Sequence, residues 1–421
     1  MTLQPSLLSP PITPRSHRLT THAHTSPGPL PATLLCMRHL PSSRALGLLL
    51  TAALPASCAF TGAPAPLPTT TLEAARVDPG VIATFLDNAE AGRYGHIDHF
   101  ILMRGGQVVV DEVFPRDYDA LAEGKEYGEG QYEYDNPFWH PFFGDTDLHT
   151  LQSVTKSVTS LLIGIAIDDG AIPDGVASPA MQWFGDFDPD MSDLRRADMT
   201  LEDILTMQSG IDWQESIPYE DPANSCIQLE ASEDWIQFII DQPMREEPGT
   251  RFDYNSGASV LLGKILREAT GQRIDTFARE RLFQPLGIES FHWKLTPKGE
   301  VDTEGGLYLR SEDLARIAQL VLQRGEWGGE RIVSEEWIET STRAHVPDVG
   351  GGTGYGYQWW IPQEGEGLEG ACMGGGFGGQ YPVIVPELDV VAVLTAWDPW
   401  DETEKSAIAD LLLEVLPGIE P

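Results

Sequence analysis

Ser153 and Lys156, three residues apart in His149-Thr-Leu-Gln-Ser153-Val-Thr-Lys156, form the pair whose types and spacing could do chemistry in this chain. On a helix, positions i and i+3 share a face. A serine at the N-terminal end of a helix has backbone N–H groups and the positive end of the dipole beside it, and both stabilise negative charge developing near its hydroxyl. A lysine one turn on, backed by Val158, Leu161 and Leu162, is partly removed from water and can lose its proton near neutral pH. The two would act as nucleophile and base. A Ser-x-x-Lys spacing also arises by chance, so the pair needs partners before it carries an activity.

A serine–lysine pair needs a third group to carry the proton to the leaving atom, and a phenol held near a cation can do this. Arg251-Phe-Asp-Tyr254-Asn255-Ser256 places Tyr254 in a short turn before a helix. The competing role is packing of the turn, with Asn255 or Ser256 as the helix cap. Near the C-terminus, Cys372-Met-Gly374-Gly-Gly376-Phe377-Gly378-Gly379-Gln380 feeds a strand. Bare backbone at Gly376 and Gly378 would let a ligand carbonyl approach, so an N–H here could complete an oxyanion hole with that of Ser153; a plain hairpin turn is the alternative. The cluster lacks the Lys-Ser/Thr ending of a phosphate-binding loop. Trp213 and Tyr219, in the loop after Gln208-Ser-Gly210, are candidates to wall an acyl pocket, with core packing the competing role for Trp213. His149 is expected to pack. Gly-x-Ser-x-Gly is absent, and His96-x-x-His99 has no third ligand nearby, so no metal and no cofactor are expected.

These groups must be held by a scaffold whose pattern is legible. Asp78-Pro79 caps a helix over 81–91, and residues 100–110 read as two strands about Gly105-Gly106. Residues 115–147 break the pattern with acids, glycines and aromatics (Tyr132, Tyr134, Phe138, Trp139, Phe142, Phe143) and read either as an ordered surface loop overhanging a site or as a packed aromatic flap with no ligand role. From 152 to about 295 the signals are helical: a capping box at Thr200 to Asp203, Ser232 capping 233–240, a helix over 256–270 stopped by Gly271, and another over 274–282. A helix over 311–323 and a shorter one from Ser334 follow. Strands are expected at 357–361, 380–385 and 390–396, and a helix at 402–416. Strands at both ends with helices between predict that the ends pair into one sheet enclosing an all-helical insert, an α/β (α+β) class.

The 421-residue chain carries a net charge of −37, which argues against nucleic acid or an anionic membrane surface as partner. Residues 1–71 contain no acidic side chain and no lysine and read as leader and linker, ahead of a domain over 72–421. Within them, Met37 to Arg44 is a basic segment and Ala45 to Leu54 an apolar one, followed by Ala56-Ser57-Cys58. This resembles a lipoprotein signal over about 37–57, with Met37 a second candidate start. It predicts export to the periplasm or outer membrane, with any membrane contact through a lipid on Cys58. Of four cysteines, Cys226 and Cys372 fall in the folded part, and pairing or two separate thiols both remain open.

Ser153-x-x-Lys156, Tyr254-Asn-Ser256 and the Gly374 to Gly378 cluster, in this order, resemble the serine β-lactamase and penicillin-binding-protein superfamily. Leu151-Gln-Ser-Val-Thr-Lys-Ser-Val-Thr-Ser160, Met207-Gln-Ser-Gly-Ile-Asp-Trp213, Pro248-Gly-Thr-Arg-Phe-Asp-Tyr254, Leu282-Phe-Gln-Pro-Leu-Gly287, Tyr355-Gly-Tyr-Gln-Trp-Trp360 and Gly376-Phe-Gly-Gly-Gln380 are similar to the 6-aminohexanoate-dimer hydrolases and related class C-like esterases. The resemblance implies a β-lactamase/transpeptidase-like fold, an antiparallel sheet flanked by helices with the site against the helical subdomain. It implies Ser153 as nucleophile, Lys156 as base, Tyr254 as proton carrier, and an oxyanion hole from the N–H groups of Ser153 and Phe377. Two departures stand out: the second motif carries Ser256 where Tyr-x-Asn is usual, and the third offers Gly374-Gly-Gly376 where a cation is usual. The implied activity is cleavage of a small ester or amide. The alternatives are a D-alanyl peptidase, a penicillin-binding protein or a weak β-lactamase, and, in another class, a non-catalytic envelope binding module.

Overall fold

Gly105 and Gly106 both adopt positive φ, and around them β1 (Ile97–Arg104) and β2 (Gln107–Val113) form the expected hairpin. This is a computed structural model, and it describes residues 66–123, 141–187, 189–219, 221–350, 352–362, 368–398, 408 and 411–420. The leader with Cys58, the aromatic residues Tyr132, Tyr134, Phe138 and Trp139, and most of the expected helix over 402–416 lie outside the described residues.

The C-terminal strands are β3 (Thr353–Tyr355), β4 (Trp360–Pro362), β5 (Cys372–Met373), β6 (Tyr381–Val385) and β7 (Val390–Ala396). They join the hairpin in one antiparallel sheet of order β2-β1-β7-β6-β5-β4-β3. β1 meets β7 in a register that sets Phe100 opposite Leu394 and Met103 opposite Val391, so the two ends of the domain do pair. Both strands are buried on both faces, which is why they read as continuous apolar runs: Phe100 and Leu102 face one core, Ile101 and Met103 the other. Helix α1 (Pro79–Glu90), capped by Asp78 as expected, covers the first core. The second core holds the helical part of the chain.

At its centre lies α2 (Val154–Asp168), whose residues Val154 to Ala166 are all buried. It packs on α6 (Ser256–Thr270) and α8 (Glu335–Ser341), with α3 (Leu201–Leu205), α4 (Ser225–Glu230) and α5 (Trp235–Asp241) around α6. Helix α7 (Ser311–Leu322) lies against β6 and β7. Gly164 permits the close approach of α2 to α8, since a Cβ there would stand 2.3 Å from the Trp337 indole. The capping box at Thr200 and Asp203 and the left-handed Gly271 stop are present.

Four expectations are corrected. Asp234, not Ser232, caps α5, because the Ser232 hydroxyl instead donates to Leu229 O at the end of α4. The strand expected over 357–361 is reduced to Trp360 and Ile361 of β4, because Gln358, with φ of 64°, makes a turn between β3 and β4 and its amide donates to Leu205 O at 2.9 Å. The segment 115–147 carries a short helix over Tyr118–Ala122. The 152–295 region is not all-helical, because His292–Trp293 pairs with Leu307–Leu309, which pairs in turn with His149–Thr150. That small sheet anchors the chain just before Ser153.

Candidate active site

Ser153 occupies the N-cap position of α2, half-buried, and its side chain makes no capping bond, so the hydroxyl is not spent on the helix. The residue before it, Gln152, sits at φ 47°, a left-handed conformation that costs a non-glycine residue about 1–3 kcal/mol and is held here by the small sheet on one side and the helix on the other. The strain lies directly at the candidate nucleophile.

Lys156 follows one turn later, 1% exposed. Its Nζ donates to Ser153 Oγ at 2.8 Å, to the backbone oxygen of Glu304 at 2.8 Å and to Glu304 Oε2 at 3.0 Å. Burial disfavours the ammonium, but nearby negative groups (the Tyr254 phenol when ionised, and the Glu304 carboxylate) outweigh it and hold the lysine above its ordinary range. Burial also raises the Tyr254 phenol, against the pull of Lys156, so at neutral pH that phenol is uncharged and Glu304 remains as the adjacent counter-charge. The expectation of a lysine neutralised by its apolar surroundings is therefore corrected: a buried carboxylate accompanies it into the core.

Tyr254 faces the Ser153 hydroxyl, stacks on Trp360 at 5.6 Å between centroids, and lies with its ring 5.4 Å from Lys156 Nζ. The turn is held because Asn255 Oδ1 accepts from Ala258 N and caps α6. Asn255 thus points into its own helix, as its middle position in the motif suggests. Ser256, where the usual motif has asparagine, turns to Glu215 instead: its hydroxyl and N–H reach Glu215 Oε1 and Oε2 at 2.6 and 2.8 Å.

The glycine cluster does pass beside the nucleophile. A Cβ on Gly376 would stand 2.4 Å from Leu151 O, and one on Gly374 would stand 3.3 Å from Val154 Cγ1. The amides of Gly376, Gly379 and Gln380 bond within the turn, a set that does not include that of Phe377. Gly378 has φ 82° and lies against the Trp397 ring. Phe377 projects outward, 40% exposed, and meets the Tyr219 ring edge-on at 5.5 Å. The nearest atoms at Gly374, Gly375 and Gly376 belong to Pro382, Val154, Trp360, Tyr381, Leu151 and Gln380, none of them cationic.

Tyr219 donates to Glu215 Oε1 at 2.9 Å, and burial raises its phenol. Trp213, by contrast, is 1% exposed and its indole donates to Glu215 Oε2 at 2.7 Å. It is a core residue beneath the site and not a pocket wall, since the same packing that buries it against Gly257 removes it from any ligand. His149 packs as expected, bonded to Asp98 Oδ2 at 3.0 Å and to Thr150 O at 2.8 Å.

Glu304 and Glu215 escaped the sequence reading. Glu304 lies 148 residues from Lys156, and nothing local in Asp302-Thr-Glu304-Gly-Gly306 marks it, beyond a carboxylate beside a glycine pair. Cys226, Glu230 and Glu304 bring a sulfur and two carboxylate oxygens within 4.8 Å of one another. The Cys226 thiol donates to Glu230, and Glu304 receives Lys156, so this group works as an ion-pair and thiol network. Cys226 and Cys372 are both free and buried, and burial pushes the Cys372 thiol up to about 12.

A sequence profile of the Beta-lactamase family matches residues 91–414. The chain is similar to a 6-aminohexanoate-dimer hydrolase of Paenarthrobacter ureafaciens, 27% identical over 305 residues that cover 67% of this chain and 75% of the relative. It is also similar to a lovastatin esterase of Penicillium rubens, 25% identical over 160 residues, 34% of this chain and 38% of that one. Among solved structures, a provisionally named 6-aminohexanoate-dimer hydrolase from Bacillus anthracis superimposes with a TM-score of 0.63 at 19% identity, over 84% of this chain and 88% of the other. Its fold is the β-lactamase/transpeptidase-like one. With an antiparallel sheet, a buried Ser-x-x-Lys helix and a profile match over most of its length, the chain belongs to the Beta-lactamase family of serine hydrolases.

Proposed function

We propose that this enzyme cleaves a small ester or amide through an acyl-enzyme on Ser153. The observation that carries the reading is the 2.8 Å contact of Lys156 Nζ with Ser153 Oγ, with Tyr254 beside the same serine. Ser153 Oγ attacks the carbonyl carbon and its proton passes to Lys156. The oxyanion is received by the N–H groups of Ser153 and Phe377. Tyr254 delivers a proton to the departing alkoxide or amine, and water then attacks the acyl-enzyme with the same groups acting in reverse.

The aromatic surround of Trp360, Tyr219 and Phe377, with no cation among the described residues nearest Gly374, Gly375 and Gly376, favours an uncharged acyl or alkyl group over a substrate carboxylate. The names borne by the relatives, an amide hydrolase and an esterase, agree with that class. The experiment is fluorophosphonate labelling with peptide mapping, alongside a panel of p-nitrophenyl esters, short amides and D-Ala-D-Ala peptides. Label on the Ser153 peptide, absent from Ser153→Ala and lost in Lys156→Ala, is expected. Label that persists in Ser153→Ala refutes the assignment, and turnover confined to D-Ala-D-Ala would transfer it to a peptidase.

A further inference from the structure

Lys156 makes three contacts through Nζ, to Ser153 Oγ, Glu304 O and Glu304 Oε2. An ammonium has three N–H bonds, so all three are donated and no lone pair faces the serine. To accept the Ser153 proton, Lys156 must first lose one of its own. A buried ammonium beside a carboxylate does not release that proton to water without leaving the carboxylate uncompensated. Two of the three acceptors cannot take it: Ser153 Oγ is the group to be deprotonated, and the Glu304 backbone carbonyl is not basic. The third, Glu304 Oε2, lies 3.0 Å away with its side chain 5% exposed.

Further buried acids surround this pair. From α4, Cys226 and Glu230 bring their sulfur and a carboxylate oxygen within 4.8 Å of a Glu304 carboxylate oxygen. Glu230 is 4% exposed, and its Oε2 has no hydrogen-bond partner among the described residues. Glu215, from the loop before α4, and Tyr254, from the turn before α6, also act on Lys156. From its own segment, Asp302 is buried and interacts electrostatically with Glu304. These acids together keep the proton within the Lys156–Glu304 pair and oppose its release to water.

We propose that Glu304 is a positioning residue that accepts a proton from Lys156 through Oε2 and so converts the lysine to the free base that deprotonates Ser153. This rests on the reading of Ser153 as nucleophile. The steps balance within the site. One Nζ–H proton moves to Glu304 Oε2, leaving a neutral amine and a neutral acid. Rotation about Cε–Nζ turns the vacated lone pair to Ser153 Oγ. As Oγ bonds to the carbonyl carbon, its proton moves to Nζ. When the tetrahedral adduct collapses, Tyr254 gives its proton to the leaving atom and recovers one from Lys156, and Glu304 returns its proton to the lysine. No proton is exchanged with solvent before acylation.

The test is the pH profile of kcat/KM for p-nitrophenyl acetate in wild type, Glu304→Gln and Glu304→Asp. In wild type the reactive form is an internal isomer of the ion pair, so reaching it requires no proton lost to water. In Glu304→Gln the internal acceptor is gone, and the acid limb reports loss of the Lys156 proton to water. The limb then moves to higher pH by about one unit or more, kcat/KM at pH 6 falls at least about tenfold, and activity recovers towards pH 9. That recovery also shows that the variant is folded. Glu304→Asp retains a carboxylate and keeps its limb at the wild-type position with a lower plateau. If Glu304→Gln does not fold, Glu304→Asp decides: a limb displaced upward despite the retained carboxylate overturns the proposal. An unmoved limb in Glu304→Gln, or one moved to lower pH with kcat/KM at pH 6 maintained, overturns it as well, since the carboxylate would then only hold the ammonium. These outcomes leave the acyl-enzyme reading intact if fluorophosphonate still labels Ser153. A wild-type enzyme that neither labels there nor turns over the ester overturns both.

Discussion

Glu215 offers the sharpest separation between a charge and a hydrogen-bonding shape. It is 7% exposed. Its Oε2 accepts from Trp213 Nε1 at 2.7 Å and from Ser256 N at 2.8 Å, and its Oε1 from Tyr219 Oη at 2.9 Å and Ser256 Oγ at 2.6 Å. The carboxylate thus caps the N-terminus of α6, where the dipole favours it, and fixes the turn that holds Tyr254. In Glu215→Ala the Trp213 and Ser256 N–H groups become buried donors without an acceptor, each costing about 1–3 kcal/mol, while the two hydroxyls can rotate to other acceptors. The expected loss is about 3–5 kcal/mol, in the range for removing one partner of a buried charged network. In Glu215→Gln the amide oxygen can receive both N–H donors and the amide nitrogen can donate to both hydroxyls, which turn to accept. All four contacts survive and only the charge assistance is lost, about 1–1.5 kcal/mol. Urea unfolding followed by tryptophan fluorescence measures both variants, with the midpoint interpreted only where the slope is unchanged. If alanine and glutamine cost the same within about 0.5 kcal/mol, the unsatisfied donors are not the source of the loss and the reasoning fails.

Burial and the neighbouring Glu304 raise the Asp302 carboxyl to about 7. The folded state then binds a proton that the unfolded chain has released, so stability falls as pH rises from the ordinary carboxylate range to about 7. Asp302→Asn keeps an acceptor for the Glu304 and Gly305 amides, and it is expected to flatten that slope and to stabilise at pH 8 but not near pH 4; an unaltered slope in thermal melts across this window counts against it. Gly376→Ala drives a Cβ against Leu151 O, a backbone atom two residues before Ser153 that cannot step aside. Acylation by a fluorophosphonate is expected to slow by about 10–100-fold with the fold retained by circular dichroism, and a wild-type rate would mean that this strand does not define the oxyanion position.

The structure was legible where it was local. Ser153 and Lys156 sit on one helical face by spacing alone, Asn255 and Gly271 bound α6 by cap chemistry, and the apolar runs of β1 and β7 announce strands buried on both faces. Three-residue turns were less legible: Gln358 interrupts a strand pattern with a positive φ that no local propensity favours, because its side chain is bonded from Ser259 and to Leu205 O across the fold.

What the sequence by itself determined is the placing of Ser153 and Lys156 on one helical face, together with the sheet closed by the two ends of the domain, since each depends on contacts within a few residues or on the period of apolar side chains. Tertiary structure alone decided the state of the lysine. Solvation and Coulomb interaction depend on what lies a few ångströms away, and the carboxylate that settles the charge of Lys156 comes from Glu304, 148 residues along the chain.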